Sequence, residues 1–158
     1  MANPLARVSQ ALGMALAQPF IGCRLYRSAA LSLNTSTATK IIWDAQNWDP
    51  FNMHDPVINP TRITPGRAGK WRVEVQLSFA ANSTNHRYSA IYLNTVNKTF
   101  NIVIHSSSQP VYACIRDVIE TKTGLDYIEI EGWQNSGGAL GLTVGSPETF
   151  VNVEYAGR

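Results

Sequence analysis

Between residues 71 and 79 apolar and polar side chains alternate without a break: Trp71, Val73, Val75, Leu77 and Phe79 against Arg72, Glu74, Gln76 and Ser78. A period of two sends one set to a core and the other to water, so this stretch predicts a half-buried strand. It follows a turn over residues 65–69, Pro-Gly-Arg-Ala-Gly. Residues 127–131 alternate as strictly, placing Ile128 and Ile130 on one face and Glu129 and Glu131 on a solvated one. Residues 87–93 and 98–104 predict a strand pair joined around 94–97, and residues 111–121 a longer strand after Pro110. The last segments, 140–144 and 150–155, are bounded by Gly137-Gly138 and Ser146-Pro147. With residues 25–33 and 41–43 the count reaches eight to ten short strands, which suits an all-β jelly-roll sandwich of two sheets.

Only the first residues follow a helical period. Asn3 is a suitable cap and Pro4 a suitable first helical residue, and Leu5, Val8, Leu12 and Leu16 recur at spacings of three, four and four. Residues 4–17 therefore predict an amphipathic helix, weakened by Gly13 and ended by Pro19. A helix this short needs its stripe buried, whether on its own domain, on a partner or against copies of itself; residues 1–21 are read as an anchoring arm and residues 22–158 as the folded domain. Ala15-Leu16-Ala17 mimics a leader-peptidase box, but no basic segment precedes it and Arg7, Ser9 and Gln10 interrupt the apolar run, so cleavage is not expected.

Composition narrows the function. The 158 residues suffice for one domain with a proper core. Charged residues are 15% against 44% hydrophobic, below the roughly 25% charged usual for soluble chains, so Ser, Thr, Asn and Gln must cover much of the surface. The net charge is +2, and Arg24, Arg27, Arg62, Arg67, Lys70 and Arg72 are dispersed, so neither nucleic acid nor a membrane is an expected partner. Cys23 and Cys114 lie in apolar contexts and are read as two buried free thiols.

No residue pattern assembles a catalytic site. His54-Asp55 could be two members of a nucleophilic relay, but no positioned nucleophile accompanies it and a solvated, Pro-rich loop is the better reading. Asp44, Asp49 and Asp55 could meet on calcium, yet their spacing fits no dedicated loop. His54, His86 and His105 show no zinc spacing with either cysteine. Glu129 and Glu131 share a face as any solvated pair would. No catalytic residue, metal site or cofactor is expected. Trp43, Trp48 and Phe51 beside a polar loop could stack on sugars, or could plug the end of the sandwich. Residues 81–86 and 105–109 are polar runs that read as loop tips.

Several motifs, in order, carry a family resemblance. Asn47-Trp48-Asp49, Met53-His54-Asp55, Arg62-Ile63-Thr64-Pro65 and the run from Ala68 to Val73 resemble the entry into the central strand of C1q/TNF-like domains. The run from Gly124 to Ile130 and that from Trp133 to Gly138 resemble a late strand and turn of the bacterial and bacteriophage branch, and residues 150–155 stand at its closing strand. The likeness runs from about Gly22 to the C-terminus, without the collagen repeat and the closing Gly-Phe-Leu-Leu flavour of the animal branch. It implies a homotrimer packed around an aromatic and aliphatic axis, for which Trp71, Tyr88, Tyr92, Tyr112, Tyr127 and Tyr155 are the candidates.

The resemblance therefore implies a non-enzymatic trimeric structural protein on the surface of a bacteriophage virion. The expected form is a head decoration or head-fibre protein, its arm seated in a capsid or tail protein and its contacts multiplied by avidity. The alternative is a receptor-binding tail fibre or adhesin that contacts host-surface glycan through the Trp48 loop. A bacterial C1q-like surface protein, trimeric outside any virion, is a further reading.

Overall fold

A computed structural model describes residues 20–104 and 108–158. The helix expected over residues 4–17, with its stripe of Leu5, Val8, Leu12 and Leu16, lies outside the described residues, as do three residues of the polar run 105–109. Among the described residues there is no helix. The strands are β1 (Gly22–Tyr26), β2 (Leu31–Leu33), β3 (Thr39–Lys40), β4 (Ala45–Trp48), β5 (Arg62–Ile63) and β6 (Gly69–Phe79). They continue as β7 (His86–Leu93), β8 (Val96–Ile104), β9 (Val111–Thr121), β10 (Ile128–Gln134), β11 (Leu140–Leu142) and β12 (Phe150–Gly157).

All pairing is antiparallel and forms two sheets. In the larger one β4, β1, β12, β6 and β9 lie side by side. The edge of β6 that carries β12 from Lys70 to Gln76 goes on to β11 at Phe79, with β2 outside it. In the smaller sheet β10 pairs with β7 on one side and with β3 and β5 on the other, and β8 closes the β7 edge. The expected jelly roll is the observed fold.

β6 organises the sandwich because its alternation holds for its full length. Trp71, Val73, Val75, Leu77 and Phe79 are buried, and β9 pairs with every residue of the strand. Facing them from the smaller sheet are Ile91, Ile128 and Ile130. The sheets approach closely at Gly132, where an added Cβ would stand 2.8 Å from Leu33 Cδ2. At each such core position burial contributes about 1.5–3 kcal/mol.

Three sequence expectations change. Residues 25–33 do not form one strand, because the chain bends between β1 and β2. The Asp44 carboxylate accepts the Ser28 and Ala29 N–H groups there, while Arg27 donates to the Ile42 and Ala29 carbonyls. Residues 41–43 are not a strand; β3 precedes them, and β4 and β5 are additional. The β7–β8 turn is tighter than residues 94–97, with Asn94 and Thr95 both at positive φ, 49° and 72°, as a two-residue type I′ turn requires.

Candidate functional site

The outward face of the larger sheet is a ladder of registered polar rows. Arg116, Glu74, Asn152 and Arg24 stand opposite one another on β9, β6, β12 and β1. Arg116 Nη2 donates to Glu74 Oε1 at 2.5 Å, Asn152 Nδ2 to Glu74 Oε2 at 3.1 Å, and Arg24 Nη1 to Asn152 Oδ1 at 2.9 Å. The Arg116 hydrogen bond, against a smaller opposing effect of burial, holds the Glu74 carboxyl below its ordinary value. On the same face β9 exposes Tyr112 (46%) and Val118 (53%) on either side of Cys114 and Arg116. These two exposed side chains, six residues apart along β9, form no continuous patch; they are the apolar contacts that this polar face could offer another copy.

The outward face of the smaller sheet is built differently. Glu131 accepts Tyr92 Oη at 2.9 Å and, more closely, Tyr88 Oη, while Lys40 Nζ lies 3.2 Å from its other oxygen and 3.0 Å from the centre of the Tyr92 ring. Burial works to raise the Glu131 carboxyl, but the bonds from Tyr88, Tyr92 and Lys40 together outweigh it and hold the group below the usual carboxylate range. Burial and the bond to Glu131 push the Tyr88 phenol upward. Glu129 is tied to Thr61 Oγ1 at 2.7 Å. Both glutamates are buried beneath neighbouring side chains rather than solvated.

The six aromatic residues proposed for a trimer axis do not share a surface. Trp71 belongs to the core, fully buried with its indole N–H donated to Thr121 Oγ1 at 3.1 Å, and it is removed from the axis set. Tyr155 packs edge-on against it at 5.1 Å. Tyr88 and Tyr92 face outward from the smaller sheet, and Tyr127 lies under the Arg62 guanidinium, 4.0 Å from the ring centre. Of the six, Tyr112 alone is exposed on the larger sheet's outward face.

The aromatic ligand loop is likewise divided. Trp43 is fully buried and offers no stacking face, Trp48 meets Phe20 edge-on at 5.0 Å, and Phe51 is exposed. His54 is not solvated: its Nδ1 lies 2.9 Å from the Arg62 carbonyl and its Nε2 3.0 Å from the Trp43 carbonyl, so the ring ties three chain segments. Asp49 accepts the Met53 and His54 N–H groups, and Asp55 those of Val57 and Ile58. The three aspartates therefore cap backbone at separate places. Among the described residues no group of three His, Cys, Asp or Glu could hold a metal ion.

The cysteines also part. Cys23 is buried, and burial followed by the Asp49 charge pushes its thiol upward, whereas Cys114 is exposed on β9 with Sγ 3.7 Å from Gln76 Oε1. Sequence reasoning missed Arg87, which is fully buried and donates to the Asn82, Thr84 and His86 carbonyls. Its odd-numbered place among Ser89, Ile91 and Leu93 was the available signal.

No protein-family model matches the chain, and no curated protein matches its sequence. Solved structures do match in backbone. The Eiger TNF of S. frugiperda superposes with a TM-score of 0.67 at 11% identity, covering 87% of this chain and 93% of that one. Murine APRIL gives 0.67 at 11% identity, covering 86% and 98%. The globular domain of zebrafish complement 1qA gives 0.63 at 12% identity, covering 87% and 98%. Near-complete coverage of both partners at such low identity is a likeness of fold, and the chain has the C1q/TNF-like jelly roll.

Proposed function

We propose that the chain is a non-enzymatic homotrimeric structural protein of a bacteriophage virion, displayed on the particle surface as a head decoration or head-fibre protein and held by residues 1–21. The observation that carries the trimer is the outward face of the larger sheet, where Tyr112 and Val118 are exposed along β9 of a fold shared with TNF and C1q domains. In a three-fold assembly the ladder of β9, β6, β12 and β1 faces neighbouring copies and the smaller sheet faces outward. The virion role rests on the sequence resemblance to the bacteriophage branch, and the anchor on the apolar stripe of the arm.

Co-sedimentation of the full-length protein with purified capsids and with purified tails tests the location. Binding to capsids, lost in the Leu5→Asp, Leu12→Asp double variant with the trimer intact, is the expected result. Binding to tails alone, or capsid binding indifferent to the arm, overturns the head assignment. The His54 and Asp55 geometry gives no reason to expect hydrolysis, since the histidine faces two carbonyls and the aspartate caps a turn.

A further inference from the structure

The outward face of the smaller sheet carries a cleft that the trimer reading leaves unused. His86, Tyr88, Asn97, Phe100, Ile102 and Trp133 line it, around a volume of about 500 Å³. It is an open hollow on the sheet face rather than an enclosed pocket of that size, and so leaves one side of a bound ligand in water. Its position follows from register: Trp133 on β10, Tyr88 on β7 and Ile102 on β8 form one cross-strand row, and Phe100 stands beside it opposite the small Ala90. The rings meet edge-on, Tyr88 with Phe100 at 6.2 Å and with Trp133 at 6.1 Å. Phe100 is 59% and Ile102 52% exposed.

The polar groups at the cleft decide what chemistry it suits. The His86 imidazole, the Asn97 amide and the Trp133 indole N–H make no hydrogen bond to another described residue. An acyl chain or an aliphatic side chain seated here would strip water from these groups and return nothing. A sugar ring presents C–H faces to aromatic side chains and hydroxyls to the rim, so it satisfies both. Lys40 and Glu131 are paired with each other, while Lys98, exposed on β8 beside Asn97, has no carboxylate partner among the described residues, so a sialylated probe tests whether charge adds to the contact.

We propose that this cleft binds a neutral saccharide unit, through Trp133, Tyr88 and Phe100 as the apolar platform and through Asn97 and His86 as the polar rim. This site is distinct from the Trp48 loop, and it does not require the trimer or the virion location.

Calorimetry and tryptophan fluorescence on the full-length protein test it, with neutral glucose- and N-acetylglucosamine-based oligosaccharides as probes and a sialylated oligosaccharide and a short fatty acid as contrasts. Trp43 and Trp71 are fully buried, so a fluorescence change on binding reports on Trp133 or on the half-buried Trp48, and the Trp133 substitution tells the two apart. At least one neutral probe is expected to bind in the millimolar range or tighter. Asn97→Ala, an exposed position, is expected to weaken it at least about tenfold. Trp133→Phe should abolish the fluorescence change. Light scattering on the same samples reports the mass, so loss of sugar binding with an unchanged mass concerns the cleft alone. Failure of all neutral probes, tighter binding of either contrast ligand, or binding indifferent to both substitutions overturns the proposal.

Discussion

Thr95 holds a left-handed backbone, φ 72°, that a β-branched residue adopts at a cost of about 1–2 kcal/mol. Thr95→Gly should therefore stabilise the protein by about 1 kcal/mol, read as a higher thermal midpoint, even though it removes side-chain atoms. Glu131 sets an acid limit. Its folded-state value is depressed, so its contribution is fully present above the unfolded value near 4.3 and is lost as pH falls through the lower folded one. Stability measured below about pH 4 should fall less steeply in Glu131→Gln than in the unaltered protein, while the variant is less stable at neutral pH. At this scale the sequence was read well where a residue follows its strand's alternation and poorly where a polar side chain is buried. His54 and Glu131 sit at positions that read as solvated in sequence, and only tertiary partners such as the Trp43 carbonyl and Tyr88 explain their burial, whereas Arg87 follows the inward alternation of β7.

The long elements were legible because period two persists for many residues. β6, β9, β10 and β12 each occupy nearly the residues expected of them. β3, β4 and β5 have two to four residues, too few for a period to register, and the Arg27–Asp44 bend that splits β1 from β2 depends on a partner many residues away. The central role of β6 is open to a direct contrast between identical substitutions. Leu77→Ala, in a fully buried β6 position, should cost about 2–5 kcal/mol, while Leu125→Ala at a loop site 86% exposed should stay within about 0.5 kcal/mol. Urea unfolding midpoints of the two variants decide this; equal shifts would mean that β6 is not the centre of the core.

The two outward faces give the whole molecule a division of labour that no strand shows alone. The larger sheet sets an ordered polar ladder around Tyr112 and Val118, and the smaller sheet sets an aromatic cleft beside a neutralised Glu131 cluster. The jelly roll itself was legible from strand count and motif order. The faces were not, because which strands adjoin is set by long-range pairing: Arg116, Glu74, Asn152 and Arg24 are scattered along the chain and meet only through the registers of β9, β6, β12 and β1. The same placement makes Cys114 a reporter, exposed in one copy but covered in a trimer that uses this face. Thiol labelling should therefore be slow at Cys114 in the assembled protein and fast in a monomeric variant, with Cys23 unreactive in both until unfolding.

The most direct measurement is the light-scattering mass of the full-length protein beside that of the Tyr112→Asp, Val118→Asp double variant. A mass of about 52 kDa, three times the 17.4 kDa chain, falling to a single chain in the folded double variant, is the predicted result. A single-chain mass for the unaltered protein, or a trimer indifferent to both substitutions, would contradict self-association through the larger sheet.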